Sequence, residues 1–438
     1  MVCLSEEPEQ SPHSSPDDHS MTPTLTLAHV SHHWRRIVNA SPRLWSSIKI
    51  TVSPTHSVRP LLEHYLTHSK DYPLDLKFSG RFPADDFILR QNLLAYGLMV
   101  IDLLSDHCSR IERLTLHEAD VFAFLPASSN LSSLKFFRNS KNLIPAEGAV
   151  WSILRRAHQL TSVSTDRLLG RNFLPYSRLT ALAITDTCNC RQLLATLKIC
   201  ASLQSLEVCN PTFSLHDEEW DLWDHVQLGS LNHFSASAHT DDDIHALFQH
   251  LTLPALTSLR VTELAENDED TLLPIHGLIQ RSGCKITELY LNLSWIHASG
   301  EDLVDFLELC PNLSRLEVEV WAASGEGQTI SYQLLDAIRA SYSSPKGMLV
   351  PNLVRTKIIE RHSSVDEHVV VALLDMMESI FTRRLASSRE PSIHPWDLNI
   401  TFGGPYNAEA VKAWEASEGR LALNGIKCKI AWMRGYDQ

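Results

Sequence analysis

The sequence predicts an α/β protein in which repeated helix–strand units stack as a solenoid, with parallel strands on a concave face and helices outside. Three observations predict this fold class. A short apolar phrase recurs along the chain, its last residues alternate between apolar and polar, and a segment with helical periodicity precedes several copies. Such alternation is typical of a strand with one buried face, and repeated units bury their apolar faces by stacking.

The recurring phrase has an apolar residue, two mostly polar residues, an apolar residue and then alternation, as in LSRLEV at 313–318. The distance between successive copies varies from 19 to 40 residues and averages about 27. An average within roughly 20–29 residues is typical of leucine-rich repeats. The sequence therefore predicts an irregular leucine-rich-repeat solenoid over residues 47–358. The ten copies begin at residues 111, 131, 160, 179, 203, 231, 256, 286, 313 and 353.

The segments before the phrases have the periodicity of amphipathic helices. In the segment 302–318, Leu303, Phe306 and Leu307 fall on one face of a helix. Pro311 then ends that helix before the strand begins. Each repeat is therefore expected to contain a helix, a tight turn and a strand. The same plan is found at 191–208, 241–261, 272–291 and 332–358.

A doubly wound α/β enzyme also alternates strands and helices, and it is the main alternative fold. Its parallel strands are buried on both faces, so they are continuous apolar runs. The strands here carry polar residues at alternate positions, as in EVEV at 317–320, which favours the solenoid. After residue 358 the pattern loosens, with a helix at 365–384 followed by strands at 396–403 and 425–432. Residues 359–438 are therefore expected to form the cap that covers the last apolar face of the solenoid.

Composition limits the class of protein. Hydrophobic residues make up 44% of the 438 residues, enough for a buried core, and no apolar run approaches the roughly 18 residues of a membrane span. Residues 1–23 are acidic, rich in Ser and Pro and unlike a signal peptide, so we expect them to be disordered. The nine cysteines lack framework spacing, which predicts free thiols in a reducing compartment, cytoplasmic and/or nuclear.

The net charge of −14 is unevenly distributed, because residues 201–320 contain 21 acidic and four basic residues. This balance argues against a nucleic-acid surface there. Short acidic runs lie between a strand and the next helix. They either complement helix dipoles or, stacked in successive repeats, form a negative ridge that attracts a basic client. The ridge would contain Asp217, Glu218, Glu219, Asp241, Asp242, Asp243, Asp268, Glu269, Asp270, Glu301 and Asp302.

Residues 24–46 contain the sequence TLAHVSHHWRRIVNASPRLW, which is followed by a predicted strand. The order of WR, then SP-x-LW, then a strand resembles the second half of the F-box in fungal, basidiomycete-type F-box-like proteins. The resemblance implies that this helical segment contacts the Skp-type adaptor of SCF ubiquitin ligases and that the solenoid binds a client protein. The residues that would form the F-box core or bind the adaptor are Leu27, Val30, Trp34, Ile37, Leu44 and Trp45.

The same residues also have an interpretation without a ligase, because Leu27, Val30, Trp34 and Ile37 form one stripe on a helix that would cap the solenoid. F-boxes of this family begin with an LP-x-E-[IL]-L helix, and nothing before Leu25 resembles it, so the motif is expected to be truncated at its N-terminal side. Two functions therefore remain open. One is a substrate-recognition protein of an SCF ligase, and the other is a leucine-rich-repeat binding scaffold with no ubiquitin-ligase link.

The sequence offers no catalytic constellation. It lacks the GxxxxGK[ST], GxGxxG, HExxH and GxSxG motifs. His29 and His33 share a helix face, but no carboxylate or cysteine accompanies them at the spacing that a metal site needs. We therefore predict a non-enzymatic protein with no catalytic, cofactor-binding or metal-binding residues, no membrane and no nucleic acid among its partners.

Overall fold

The protein is an α/β protein with a large parallel sheet, as expected from its alternating pattern. The structure is a computed structural model. It describes residues 23–52, 58–80, 87–117, 129–140, 149–170, 172–212, 225–237, 241–262, 272–293, 300–321, 330–341, 349–361, 367–387, 397–402, 408–423 and 427–432.

Eighteen strands are found in these residues. They are β1 Ser47–Val52, β2 Leu74–Gly80, β3 Ile111–His117, β4 Phe136–Ser140, β5 Ser162–Thr165, β6 Ala181–Ile184, β7 Cys188–Asn189, β8 Ser205–Cys209, β9 Pro211–Thr212, β10 Val226–Gln227, β11 His233–Ser237, β12 Leu251–Thr252, β13 Ser258–Thr262, β14 Glu288–Leu293, β15 Arg315–Trp321, β16 Arg355–Arg361, β17 Asp397–Phe402 and β18 Lys427–Trp432.

Twelve α-helices are found in the same residues. They are α1 Pro23–Val30, α2 His32–Asn39, α3 Arg59–Ser69, α4 Phe87–Ser105, α5 Ala149–Arg156, α6 Cys190–Leu197, α7 Asp241–Gln249, α8 Leu273–Ser282, α9 Gly300–Glu308, α10 Ile330–Ser341, α11 Glu367–Ser387 and α12 Ala408–Leu423.

The chain divides into two compact units, and the division passes through β4. The first unit contains Met1–Phe137 and Leu143–Gln159, and the second contains Arg138–Asn142 and Leu160–Gln438. In the first unit, β1, β2 and β3 pair in parallel in that order. In the second, ten described strands lie side by side in the order β5, β6, β8, β11, β13, β14, β15, β16, β17, β18. Their pairings are parallel, and the strands follow one another in chain order.

Each recurring phrase in the second unit places its apolar residues in the core. In the phrase 256–261, Leu256, Leu259 and Val261 are buried, and the equivalent residues of neighbouring phrases are buried as well. Register pairs Leu259 with Leu289, and Leu289 with Leu316, so one phrase position forms an apolar row across β13, β14 and β15. Burial of such a side chain contributes about 1.5–3 kcal/mol, which explains why these positions are apolar.

The backbone of the second residue of each phrase in the second unit forms a repeating hydrogen-bond ladder. The carbonyl of Thr257 accepts hydrogen bonds from the backbone N–H groups of Thr287 and Glu288, at 2.8 and 3.0 Å. The carbonyl of Thr287 accepts in the same way from Ser314 and Arg315, at 2.9 and 3.0 Å. Equivalent carbonyls continue this pattern, so the repeats are equivalent in backbone geometry as well as in sequence. The other carbonyls of the ladder belong to Thr161, Thr180, Gln204, Asn232 and Ser314.

The predicted elements are present, with two differences. The region 359–438 continues the sheet, because β17 pairs in parallel with β16 and β18 pairs in parallel with β17, while its role as a cap stays a prediction. The loosening of the sequence pattern therefore reflects altered segments between strands and no change in strand pairing. At the N-terminus, the predicted single helical stripe is wrong. Ser31 has an extended backbone (φ −161°, ψ 167°) and its side chain caps α2, so α1 and α2 are separate helices. The segment predicted to be disordered lies outside the described residues, except for Pro23.

Candidate binding surfaces

The helices of the second unit pack against one face of its sheet. Phe248 of α7 contacts Phe234 of β11, with ring centroids 5.6 Å apart. Ser331 of α10 donates to the carboxylate of Glu360 on β16. Along β13–β18 these inward residues alternate with residues that are exposed or half-buried, except at Glu319, which is buried. We call the outward residues of β13–β18 the open face. Its charged and aromatic members are Arg260, Glu288, Tyr290, Arg315, Glu317, Glu319, Arg355, Lys357, Arg361, Asp397, Lys427 and Lys429.

Ion pairs between neighbouring strands order the centre of the open face. Lys357 on β16 pairs with Glu317 directly opposite on β15. Arg361 pairs with Glu319, whose side chain is largely buried. Register places these residues within reach of one another, and opposite charges on adjacent strands stabilise the sheet. One more pair, from Arg355 on β16 to Asp397 on β17, has an N···O distance of 3.5 Å.

A shallow depression of about 170 Å³ lies over β13, β14 and β15. The guanidinium of Arg260 stacks 4.1 Å from the ring centroid of Tyr290, which is a cation–π contact. The phenol of Tyr290 donates a hydrogen bond of 3.4 Å to Glu319. Burial, and then the negative charge of Glu319, raise the pKa of Tyr290, so the phenol remains a neutral donor. Ser258 and Glu288 complete one wall through a 3.4 Å hydrogen bond.

Arg315 forms part of the same depression and has a distinctive environment. It lies in register between Glu288 and Arg355. Its side chain is exposed, and it forms no hydrogen bond or ion pair with another residue in the part of the chain that the structure describes. A guanidinium presents five donors in a rigid fork that matches a carboxylate. Arg315 is therefore available for a bidentate contact with an acidic ligand.

The six residues predicted to form the F-box core or to bind the adaptor differ in their burial. Trp45 is fully buried, donates its indole N–H to the carbonyl of Val38 at 2.8 Å and packs edge-on against Tyr65. Leu27 is half-buried. Four large apolar side chains are exposed: Val30 (62%), Trp34 (44%), Ile37 (41%) and Leu44 (37%).

Hydrogen bonds hold the helices that carry these exposed residues. Thr24 donates from its hydroxyl to the carbonyl of Leu44 at 2.7 Å, which ties α1 to the turn before β1. Arg35 donates from Nε to the carbonyl of Ala28 at 3.1 Å, which ties α2 to α1. The exposed apolar residues are therefore displayed on an ordered support.

The predicted acidic ridge is only partly covered by the structure. Asp241, Asp242 and Asp243 form the start of α7, and Glu301 and Asp302 lie in the first turn of α9. The stacking of these residues into a ridge stays a prediction. The runs 217–219 and 268–270 lie outside the described residues.

The described residues also include cysteines and side chains that can bind metal ions. Within the described ranges, no group of three or more His, Cys, Asp or Glu side chains is arranged to hold a metal ion. The eight cysteines in those ranges are all free. Burial raises the pKa of the Cys200 and Cys310 thiols to about 12, so these thiols are poor nucleophiles at neutral pH. Among the described helices, none has the length and apolar character needed to cross a membrane.

The basic residues of the open face were not predicted from the sequence, although the phrases contain four of them, Arg260, Arg315, Arg355 and Lys357. In the four phrases that form β13–β16, the third and fifth residues point to the open face, as do Arg315 and Glu317 in LSRLEV. An alignment of the phrases shows basic and acidic residues at the third and fifth positions, and this alignment could have predicted the charges on the open face. The acidic runs between the phrases are more conspicuous in the sequence, and they predicted a binding surface on the connecting segments.

The comparisons with known proteins define no family. The chain matches no protein-family model and no curated protein. The fold and the surfaces therefore define its class, an α/β protein with a large parallel sheet that displays a polar open face and, at its N-terminal segment, exposed apolar residues.

Proposed function

We propose that this protein is a non-enzymatic protein–protein interaction module, an irregular leucine-rich-repeat solenoid whose open face binds a client protein. The observation that carries the proposal is the ordered mosaic of charges on β13–β18. The pairs Lys357–Glu317 and Arg361–Glu319 hold its centre in one arrangement. A preorganised polar surface loses little side-chain freedom on binding, which favours recognition of a partner.

The hydrogen-bond ladder supports the solenoid part of the proposal. The same pair of backbone bonds links seven successive pairs of phrases in the second unit, from Thr161 to Arg355. In a solenoid each repeat contacts its neighbours through equivalent interactions, and the extended surface that results is a common site for protein partners.

We further propose that residues 24–46 attach the module to an SCF-type ubiquitin ligase through a Skp-type adaptor. Val30, Trp34, Ile37 and Leu44 are exposed, while Trp45 anchors the segment in the core. Exposed aromatic and aliphatic side chains on ordered helices are typical anchors of protein interfaces. The resemblance to the second half of the F-box indicates which adaptor to test. The alternative is a binding scaffold with no ligase link.

A binding assay with purified Skp-type adaptor tests the ligase link. We expect the full chain to form a complex, and we expect Trp34→Ala together with Ile37→Ala to weaken it about tenfold or more. The matched control is Val371→Ala, which removes an equally exposed apolar side chain from α11. Failure of the wild-type chain to bind, with its circular dichroism spectrum intact, would reject the ligase link and leave the scaffold alternative.

A further inference from the structure

We infer that the client segment that binds the open face is acidic and extended. This inference rests on the proposed function, because it names the chemistry of the client. It starts from a contrast of charge. Between residues 258 and 432 the chain has 24 acidic and 16 basic residues, a net charge of −8. The open face of the same strands has seven basic residues and four acidic ones, a net charge of +3.

Four basic residues of the open face are left without an ion-pair partner among its carboxylates. Three of its carboxylates, on Glu317, Glu319 and Asp397, are each paired with a base on β16. The remaining bases have no ion pair with any carboxylate that the structure describes, and Glu288 is the remaining acid. These bases are Arg260, Arg315, Lys427 and Lys429.

The position of the two arginines indicates how acidic side chains would bind. Arg260 on β13 and Arg315 on β15 are two strands apart and flank the depression over Tyr290. Strands in a sheet are about 4.8 Å apart and residues on one strand rise about 3.3 Å, so the Cα atoms of the two arginines are separated by about 12 Å. An extended chain covers that distance in three to four residues. Two carboxylates at that spacing reach both guanidinium groups at once.

An acidic protein segment fits this face better than a nucleic acid. Glu288, Glu317 and Glu319 lie between the bases and would repel a closely following phosphate backbone. A peptide avoids this repulsion, because its acidic side chains are spaced apart and its amide N–H groups donate to carboxylates.

Fluorescence anisotropy with a defined probe tests the inference. The probe is a fluorescein-labelled peptide that alternates Glu and Thr, and the comparison peptides replace every Glu by Gln or by Lys. We expect the Glu peptide to bind the full chain and the Gln peptide to bind at least about tenfold more weakly, because charge-assisted hydrogen bonds are lost. Raising the salt from about 50 mM to about 300 mM should weaken the Glu peptide further.

The variant Arg260→Glu/Arg315→Glu should reduce the affinity for the Glu peptide about tenfold or more. The matched control is Lys285→Glu/Lys412→Glu, which makes the same change of net charge at two exposed bases outside the open face. Charge reversal could destabilise the sheet, and the unfolding midpoint measures this. In that case Arg260→Gln/Arg315→Gln removes the same bidentate guanidinium contacts with a smaller change of charge.

Three results would overturn the inference. The first is that the Lys peptide binds more tightly than the Glu peptide, which would favour the predicted acidic ridge as the binding surface. The second is that both charge-reversal variants weaken binding equally, and the third is that a single-stranded oligonucleotide binds more tightly than the Glu peptide. A further outcome concerns a client that cross-links to a photoreactive residue, p-benzoylphenylalanine, placed at Asn399 on the open face. If the Arg260 and Arg315 substitutions leave the binding of that client unchanged, this inference is removed and the proposed function stays intact. Loss of that cross-link as well would remove both.

Discussion

The hydroxyl of Thr287 donates a hydrogen bond of 3.1 Å to the carbonyl of Thr257. The hydroxyl of Thr257 donates in turn to the carbonyl of Asn232, also at 3.1 Å. Ser314 makes the equivalent bond to Thr287 at 3.0 Å. Where the second residue of the recurring phrase has a hydroxyl group, as at these three positions, it connects its repeat to the one before through its side chain as well as its backbone.

The variant Thr287→Val should lower the free energy of unfolding of the second unit by about 1 kcal/mol. It removes one hydroxyl hydrogen bond while β-branched shape is kept. Urea denaturation followed by circular dichroism measures the change. Thr401→Val on the open face is the control, since the Thr401 hydroxyl forms no hydrogen bond with another described residue, and a shift within about 0.5 kcal/mol is expected there. Equal effects at the two positions would contradict the proposed contribution of the ladder.

The variant Trp45→Ala should lower the free energy of unfolding of the first unit by about 3–5 kcal/mol. Trp45 is fully buried, and its loss leaves a cavity next to Tyr65 and removes one of the hydrogen bonds that the Val38 carbonyl accepts. Trp34→Ala makes the same chemical change at an exposed site and should cost less than about 1 kcal/mol. Thermal denaturation of the two variants makes the comparison, and a larger loss at Trp34 would mean that Trp34 belongs to the core.

The variant Glu360→Ala should lower the free energy of unfolding by about 3 kcal/mol. The buried carboxylate accepts hydrogen bonds from the backbone N–H of Ser331, at 2.6 Å, and from its hydroxyl, at the start of α10. Removing it leaves buried donors unsatisfied and takes a favourable charge from a helix N-terminus. Glu415→Ala on the exposed surface of α12 is the control. A stability change no larger than that of the control would show that Glu360 does not hold α10.

Acidification below about pH 6.5 should destabilise the first unit in part through His64. Burial, followed by the neighbouring His68, lowers the pKa of His64 from its ordinary value of 6.5. Between the lowered pKa and 6.5 the unfolded chain binds the additional proton, so stability rises with pH through this window and is lost as pH falls. His64→Gln should therefore reduce the fall in urea midpoint between about pH 7 and pH 5. A variant that keeps the full pH dependence would show that other groups cause it.

The sequence predicted the strands well because each phrase combines two independent constraints. Three of its positions are buried, and the backbone of its second residue bonds to the neighbouring repeat, so the phrase has a fixed spacing of apolar residues and a mostly polar second position. In the second unit, the eight phrases that begin at residues 160 to 353 each start their strand at the third residue. Helix α4 was not predicted, since FILRQNLLAYGLMVIDLLS has apolar residues around most of its circumference and therefore no clear stripe.

The surfaces were less predictable than the fold because they depend on pairing between distant residues. Lys357 and Glu317 are 40 residues apart in sequence and meet through the register of β15 and β16. The break at Ser31 depends on a capping hydrogen bond from the N–H of Trp34 to the Ser31 hydroxyl, which competes with continuation of the helix. Apolar periodicity alone does not show that competition.

Photo-cross-linking in cells that express the protein tests the central claim, that the open face is the client-binding surface. The variant Asn399→p-benzoylphenylalanine places the cross-linker on the open face, and Val371→p-benzoylphenylalanine places it on the exposed surface of α11. We expect the Asn399 variant to yield a discrete protein adduct and the Val371 variant to yield none. Adducts formed from Val371 and absent from Asn399 would contradict the claim.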